Sequence, residues 1–411
     1  MEKLRIGIIG YGQRAPGLMA QLVRMPEKVK ITAICDIFPD RVEAAQKKLR
    51  EVYKLDWEPY GTTDAYELID RDDVDAVIIA AAWEAHIPLS IYAMKAGKAV
   101  GCEVAGAYSI EQCWDLVKTY EETKTPIMML ENTLYARRER MLMHMAKEGF
   151  FGEIVHCDGA YCHYLCGEIA DGYKTKHYRL RNYTNRNCDN YPTHEIGPIA
   201  RVLNINNGNR FVSLSSFASK AAGLEHFIKE ERADVEELKD IRPRQGDIVT
   251  SVLTCAGGQT VTIRLGTTLP RYYSREFNIH GTKAFYNNDK DFFVDSTNIN
   301  DVHEIGGYSI SHSNAAEYEE KWLDPLWRKY LEDGVKGGGV GMAGGHGGTD
   351  WLCMSAFVDA VINKEPMPID VYDMATWMVI TPLTEDSIAK GGIPVEFPDF
   401  TNGRWLYDKA F

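Results

Sequence analysis

The sequence predicts an α/β protein in two parts: residues 1–130 form a doubly wound parallel sheet, and residues 131–411 an α/β domain built on a largely antiparallel open sheet. Strand-like and helix-like segments alternate through the first 130 residues, a glycine turn follows the first strand, and short strands recur at meander spacing in the second part. A length of 411 residues, 45% apolar and 26% charged, suits two globular cores and excludes a disordered or fibrous chain.

Leu4 to Ile9 reads as a strand, and Pro16 to Arg24 as a helix carrying Leu18, Met19, Leu22 and Val23 at helical spacing. Val29 to Cys35 is a second strand, Arg41 to Val52 a helix with a charged surface, and Thr63 to Ile69 a short helix. Val74 to Ala81 is a continuous apolar run, as expected of a strand covered on both faces. His86 to Ala96 is a helix ended by Gly97; Ala99 to Glu103 is a strand, Ile110 to Glu122 a helix and Pro126 to Leu130 a strand. Beyond these, Arg137 to Glu148 and Tyr191 to Leu203 read as helices, and Glu153 to Tyr164 alternates like a strand with one exposed face. Phe211 to Ser219, Ile248 to Thr254, Thr260 to Thr267, Arg275 to His280 and Lys283 to Tyr286 are strands. Lys220 to Asp240 is a charge-rich surface excursion. Gly334 to Gly348 is too dense in glycine for a regular element and leads into an apolar helix near Asp350 to Ile362.

The formal net charge of −13 repels nucleic acid and anionic membranes, so neither is an expected partner. No apolar run reaches the length of about 18 residues that a membrane helix needs. The first residues run straight into a strand without the pattern of a secretory leader, which with nine cysteines lacking any C-x-x-C points to reduced thiols and the cytoplasm. Cys157, Cys162 and Cys166 form the only cluster, and no H-E-x-x-H or similar spacing is present, so no metal is expected. The expected assembly is a homo-oligomer, a dimer or a tetramer.

Gly10-Tyr11-Gly12-Gln13-Arg14-Ala15 fits G-x-G-x-x-A between the first strand and the first helix, the setting of a Rossmann dinucleotide site. Gly10 permits the tight turn, Gly12 lets the backbone approach a pyrophosphate, Gln13 and Arg14 complete the loop, and Ala15 lets the helix pack on the sheet. The pyrophosphate would meet free N–H groups at the helix start. Asp36 ends the second strand, where a carboxylate accepts the adenosine ribose hydroxyls and repels a 2′-phosphate. NAD is therefore the expected cofactor; Arg41, otherwise a solvated helix residue, keeps NADP open.

Trp83-Glu84-Ala85-His86 after the third strand and Cys102-Glu103-Val104-Ala105 at the end of the fourth resemble the glucose–fructose oxidoreductase / inositol dehydrogenase (Gfo/Idh/MocA) family. That resemblance covers essentially the whole chain and implies cofactor contacts from His86, Glu103 and Asn132. Family dehydrogenases usually carry Glu-Lys-Pro, whose lysine serves the hydroxyl being oxidised; here Val104 takes its place. Glu131-Asn132-Thr133-Leu134-Tyr135, His177 to Tyr183, Tyr191-Pro192-Thr193-His194-Glu195-Ile196-Gly197-Pro198, Thr268 to Arg275 and Gly345-His346-Gly347-Gly348-Thr349-Asp350 together look like glycoside hydrolase family 109, the NAD-dependent α-N-acetylgalactosaminidase group. Glu195 and Tyr164 depart from that likeness.

The resemblance implies hydrolysis of a small glycoside with NAD used and regenerated within one turnover. Oxidation of the sugar at C3 acidifies the C2 proton, its loss expels the aglycone from C1, water adds, and the ketone is reduced again; such glycosidases are exceptions to the paired-carboxylate scheme. The protein must then supply a base for the C3 hydroxyl, an acid/base for C2 and C1, and donors to the enolate oxygen. Tyr191 and His194 lie three apart at a helix start and share a face. A histidine can take and give a proton near neutrality, and a tyrosine can donate to an oxyanion or act as a base beside a cation. Tyr161 and His163 alternate with Cys162 and share a strand face. Glu103 and Glu131 end strands at the ligand-binding edge, as contacts or as caps. Arg179 clamps an acyl oxygen or carboxylate, or forms a surface ion pair; His346 is a substrate ligand or a turn residue; Tyr273 joins the expected sugar-binding set with Glu131 and His163. A sugar C3-dehydrogenase and a catalytically inactive nucleotide-binding sensor are the alternative functions. Val104 speaks against the first and the Tyr191/His194 pair against the second.

Overall fold

The computed structural model describes residues 3–300, 312–336 and 345–407. The chain forms two units: Met1–Ala136 with Leu331–Val379, and Arg137–Tyr330 with Ile380–Phe411. This differs from a single division at residue 130, because the chain returns to the first unit for 331–379. The physical reason lies in packing. The helix Thr349–Asn363 rests on the helix Ala15–Leu22 and on the turn Asn132–Tyr135, and the helix Val371–Met378 on the helix Ile110–Thr123.

The first unit holds β1 (Leu4–Ile9), β2 (Val29–Cys35), β3 (Tyr60–Thr62), β4 (Ala76–Ile79), β5 (Ala99–Cys102) and β6 (Ile127–Met129). They form one sheet in the order β3-β2-β1-β4-β5-β6, every pairing parallel. The order reverses beside β1, which makes the end of that strand the topological switch point. Ile6, Ile8, Val77 and Ile78 are fully buried, as continuous apolar runs in a parallel sheet require.

The second unit holds β7 (Ile154–Cys162), β8 (Phe211–Ala218), β9 (Ile248–Cys255), β10 (Thr260–Gly266), β11 (Asn278–Gly281), β12 (Ala284–Asn287), β13 (Phe292–Asp295) and β14 (Val395–Glu396). Their order is β13-β12-β11-β7-β10-β9-β8-β14. β7 and β10 pair in parallel, and the other pairings are antiparallel. The helix Thr193–Val202 covers β7, and the helix Ile380–Ala389 covers β8.

The strand expected over Arg275 to His280 begins only at Asn278. Ser274 makes a lone bridge to Cys162, and Glu276 then takes φ +43°, which breaks the ladder. Lys220 to Asp240 contains the helix Gly223–Glu231. Of the glycine-dense run, 337–344 lies outside the described residues, while Gly334 to Lys336 continue the helix Pro325–Lys336. Among the described residues no helix is long and apolar enough to cross a membrane.

Candidate active site

In the first unit the turn after β1 is fixed by sterics. Gly10 has φ +88°, and a Cβ there would lie 2.6 Å from the Ala81 backbone, so only glycine fits. Its N–H donates to the Cys35 carbonyl at 2.8 Å. Gly12 differs: a Cβ would meet nothing nearer than Arg41 Nη1 at 4.0 Å, which leaves its backbone open to an approaching group. Gln13 is exposed, and Ala15 is buried at the first position of its helix. Asp36, buried at the end of β2, accepts from the N–H groups of Tyr11 (2.7 Å) and Phe38 (3.0 Å), with Arg41 Nη1 3.7 Å away. An open glycine turn at a helix start, beside a carboxylate at the end of the neighbouring strand, fits a dinucleotide.

Arg14 turns away from that opening. Its Nε donates to Glu103 at 2.8 Å, and its two terminal nitrogens donate to the two oxygens of Asp350, each at 2.8 Å. Asp350 also accepts from Asn132 Nδ2 at 2.7 Å and pairs with His346 Nδ1 at 2.8 Å. Burial pushes the Asp350 carboxyl up, but the bonds from Arg14 and His346 outweigh it and hold the group well below the usual carboxylate range. The bond to Asp350 raises His346. Burial raises Glu103, against the opposing pull of Arg14. Asn132 and the side chain of Arg14, expected at the cofactor, thus serve this network.

Two expectations are corrected here. Glu131 is fully buried and caps its own turn, accepting from the Thr133 N–H at 3.0 Å and hydroxyl at 2.7 Å, so it is a cap and not a sugar ligand. His86 is buried beneath the turn after β4 and bonds the Ala81 carbonyl at 3.0 Å; burial lowers it to about 4 and keeps it neutral. It holds the backbone against which Gly10 packs rather than an open face.

The second unit gathers an aromatic cluster. The helix expected from Tyr191 starts at Thr193, so Tyr191 lies ahead of its Pro192 cap rather than on a helical face, yet its hydroxyl lies 3.4 Å from His194 Nε2. The Tyr161 ring lies 4.6 Å from that of Tyr191 and 5.6 Å from that of His194. His163 stacks 6.2 Å from Tyr161, as expected of one strand face, and 5.2 Å from Tyr273, which is half-exposed. Arg179 corrects the surface-pair alternative: it is buried, pairs with Glu168 at 2.9 Å and lies 4.9 Å over the Tyr191 ring. A fixed positive charge beside a phenol favours the form that has lost its proton. Asp189 and Glu195, both buried, flank the Tyr191–His194 segment.

Sequence reasoning did not single out Asp350 or Asp189. Asp350 carried a usable signal, an acid in the first turn of a helix after a glycine loop. Asp189 carried none.

A family model described as the C-terminal domain of glycosyl hydrolase 109 matches residues 135–407, and one described as the NAD-binding Rossmann fold of the oxidoreductase family matches residues 4–130. The chain belongs to glycosyl hydrolase family 109. As a family 109 protein it is an NAD-dependent glycoside hydrolase with a Gfo/Idh/MocA cofactor domain. It is 38% identical to an alpha-N-acetylgalactosaminidase of Tannerella forsythia, over 98% of this chain and 87% of that one. It is 36% identical to a glycosyl hydrolase family 109 protein of Stenotrophomonas maltophilia, over 99% and 91% of the two chains. Among solved structures, a scyllo-inositol dehydrogenase of Lactobacillus casei with bound NAD(H) and scyllo-inositol superimposes with TM-score 0.66 at 13% identity, covering 96% of this chain and 99% of the other. At that identity the likeness concerns the fold.

Proposed function

We propose that this family 109 protein hydrolyses small glycosides, N-acetylhexosaminides among them, through a transient C3 ketone, elimination across C2 and C1, water addition and re-reduction. The observation that carries the reading is the joining of Tyr161, Tyr191 and His194 in one cluster beside a buried guanidinium. The name of the Tannerella relative supports the hexosaminide.

The Gly10–Ala15 backbone holds the pyrophosphate of NAD, and Asp36 its ribose hydroxyls. NAD, when bound, accepts a hydride and gives it back. Tyr191, under the Arg179 charge, suits the base that takes the proton from the C3 hydroxyl. His194 takes the C2 proton and protonates the departing oxygen at C1. Tyr161 donates to the enolate oxygen. His163 and Tyr273 line the sugar. The buried Val104, standing where a lysine would serve a plain dehydrogenase, supports a reaction without net oxidation.

Nine buried thiols, none in a disulfide, support a reducing compartment, the cytoplasm. The exposed Phe217 and Val252 on the second sheet support a homo-oligomer. A panel of chromogenic α- and β-glycosides, followed at once for aglycone and NADH, tests the reaction. Aglycone without net NADH is expected; stoichiometric NADH assigns a C3-dehydrogenase instead.

A further inference from the structure

Asp189 is 0% and Glu195 2% exposed, Asp189 Oδ2 and both carboxyl oxygens of Glu195 meet no hydrogen-bond donor among the described residues, and the two carboxyl groups act on each other. Glu195 stands in the first turn of the helix Thr193–Val202, and Asp189 precedes that helix. The helix backbone packs closely on β7: a Cβ on Gly159 would lie 3.0 Å from the Glu195 carbonyl oxygen and 3.4 Å from its Cβ. The groups facing the pair are few. β7 contributes the Cys162 thiol, and Tyr191 N–H donates to Asp189 Oδ1 at 3.2 Å. The helix Ile380–Ala389 contributes the Thr381 and Thr384 hydroxyls, which bond the Asp189 backbone at 2.6 and 2.9 Å.

Two like charges in contact away from water cannot both persist, so one proton must lie between them. The Tyr191 N–H, donating to Asp189 Oδ1, favours the remaining negative charge on that side of the pair. The bridging proton ties the helix start to the loop before it, and Asp189 at the same time holds Tyr191 by its backbone. The backbone on both sides of Pro192 is thereby fixed, and with it the spacing of Tyr191 and His194.

We propose that Asp189 and Glu195 share a single buried proton and that this acid pair is the positioning element for Tyr191 and His194; the positioning role rests on the glycosidase reading, the shared proton does not.

Burial, then Asp189, raise Glu195 well above its ordinary value of 4.5. Above that value the unfolded chain has lost a proton that the folded chain keeps. Stability therefore falls as pH rises, by about tenfold in the unfolding equilibrium per pH unit, until the folded pair itself ionises. Glu195→Gln keeps a donor to Asp189 and removes this dependence.

The test is denaturant unfolding of the full chain, wild type against Glu195→Gln and Asp189→Asn, from pH 5 to 9. The advantage of Glu195→Gln should grow about tenfold per pH unit over the first part of that range, whereas Asp189→Asn leaves Glu195 buried and should keep the wild-type slope. A constant difference across pH overturns the shared proton. Infrared spectra of the wild type should show a protonated carboxyl band at neutral pH that Glu195→Gln removes, a measurement that holds for the wild type even if a variant fails to fold; its absence overturns the proposal as well. In the aglycone assay, Glu195→Gln should extend the alkaline limb of kcat upward, whereas Glu195→Ala should lower kcat with little change in KM. An unmoved alkaline limb overturns the positioning role. If no variant or wild type releases aglycone, the glycosidase reading and the positioning role fall together, while unfolding and infrared still decide the proton.

Discussion

Each unit buries carboxyl groups, and the two do so in opposite ways. In the first, Asp350 and Glu103 grip one guanidinium between them, and the Asp350 carboxyl is held far below its usual range. In the second, Asp189 and Glu195 face one another, and both are raised by burial. In the first arrangement Arg14, His346 and Asn132 together keep Asp350 ionised while burial still raises Glu103, and the network is suited to holding a loop and a returning helix in place. The second retains a proton at neutral pH, beside a tyrosine and a histidine that the proposed reaction needs for proton transfer. Burial raises every one of these acids, and only where several donors converge, as on Asp350, do the partners outweigh it.

The sharpest way to break the comparison is to remove a proton-handling group from the second unit. His194→Ala should lower aglycone release by roughly 10²–10⁴-fold, the usual range for a positioned acid or base. Enzyme-bound NADH should then accumulate, because the lost step follows hydride transfer. A near-normal rate would return His194 to a packing role.

Breaking the first unit's network should instead appear in stability. Asp350→Ala strands Arg14 on Glu103 alone and should cost about 3 kcal/mol, the lower end for a broken buried pair, since one carboxylate remains. Thermal unfolding checks it, and an unchanged Tm would mean that the network is dispensable.

The pH dependences should carry opposite signs. Asp350 is depressed, so its contribution is present above its unfolded value near 3.8 and is lost as the pH falls below it toward the folded value. Asp350→Asn should flatten acid unfolding, whereas Glu195→Gln flattens the alkaline side. Unfolding curves from pH 2 to 9 that leave both limbs unchanged would remove the distinction between the units.

A smaller effect is expected at the cofactor turn. Asp36→Ala removes an acceptor for the ribose hydroxyls and should weaken NAD by about tenfold, the scale of one lost charge-assisted hydrogen bond. Titration of NAD fluorescence quenching reads it, and unchanged affinity would contradict the role given to Asp36.

What was legible in the sequence follows from how local each feature is. Gly10, Gly12 and Asp36 were readable because a glycine turn between strand and helix constrains residues close together in the chain. Tyr191 and His194 were readable from a spacing of three at a helix start. The Arg14–Asp350 pair spans 336 residues, and nothing local reveals which sheet a late apolar helix will cover. The same blindness hid the return of 331–379 to the first unit. Glu131 and His86 misled because a polar residue at the end of a parallel strand or the start of the following helix reads as a ligand until its burial is known. Asp189 and Glu195 are near in sequence, yet only their burial, which the chain does not show locally, makes their meeting consequential.

The central claim, hydrolysis by a cofactor that is returned to its starting state, is tested most directly by one measurement. Purified protein with NAD is given a chromogenic N-acetylhexosaminide, and aglycone and NADH absorbance are recorded in the same cuvette over many turnovers. Continuous aglycone release is expected, with NADH never exceeding the enzyme concentration. NADH accumulating in step with product, beyond one equivalent per enzyme, would contradict it and assign the chain to sugar oxidation.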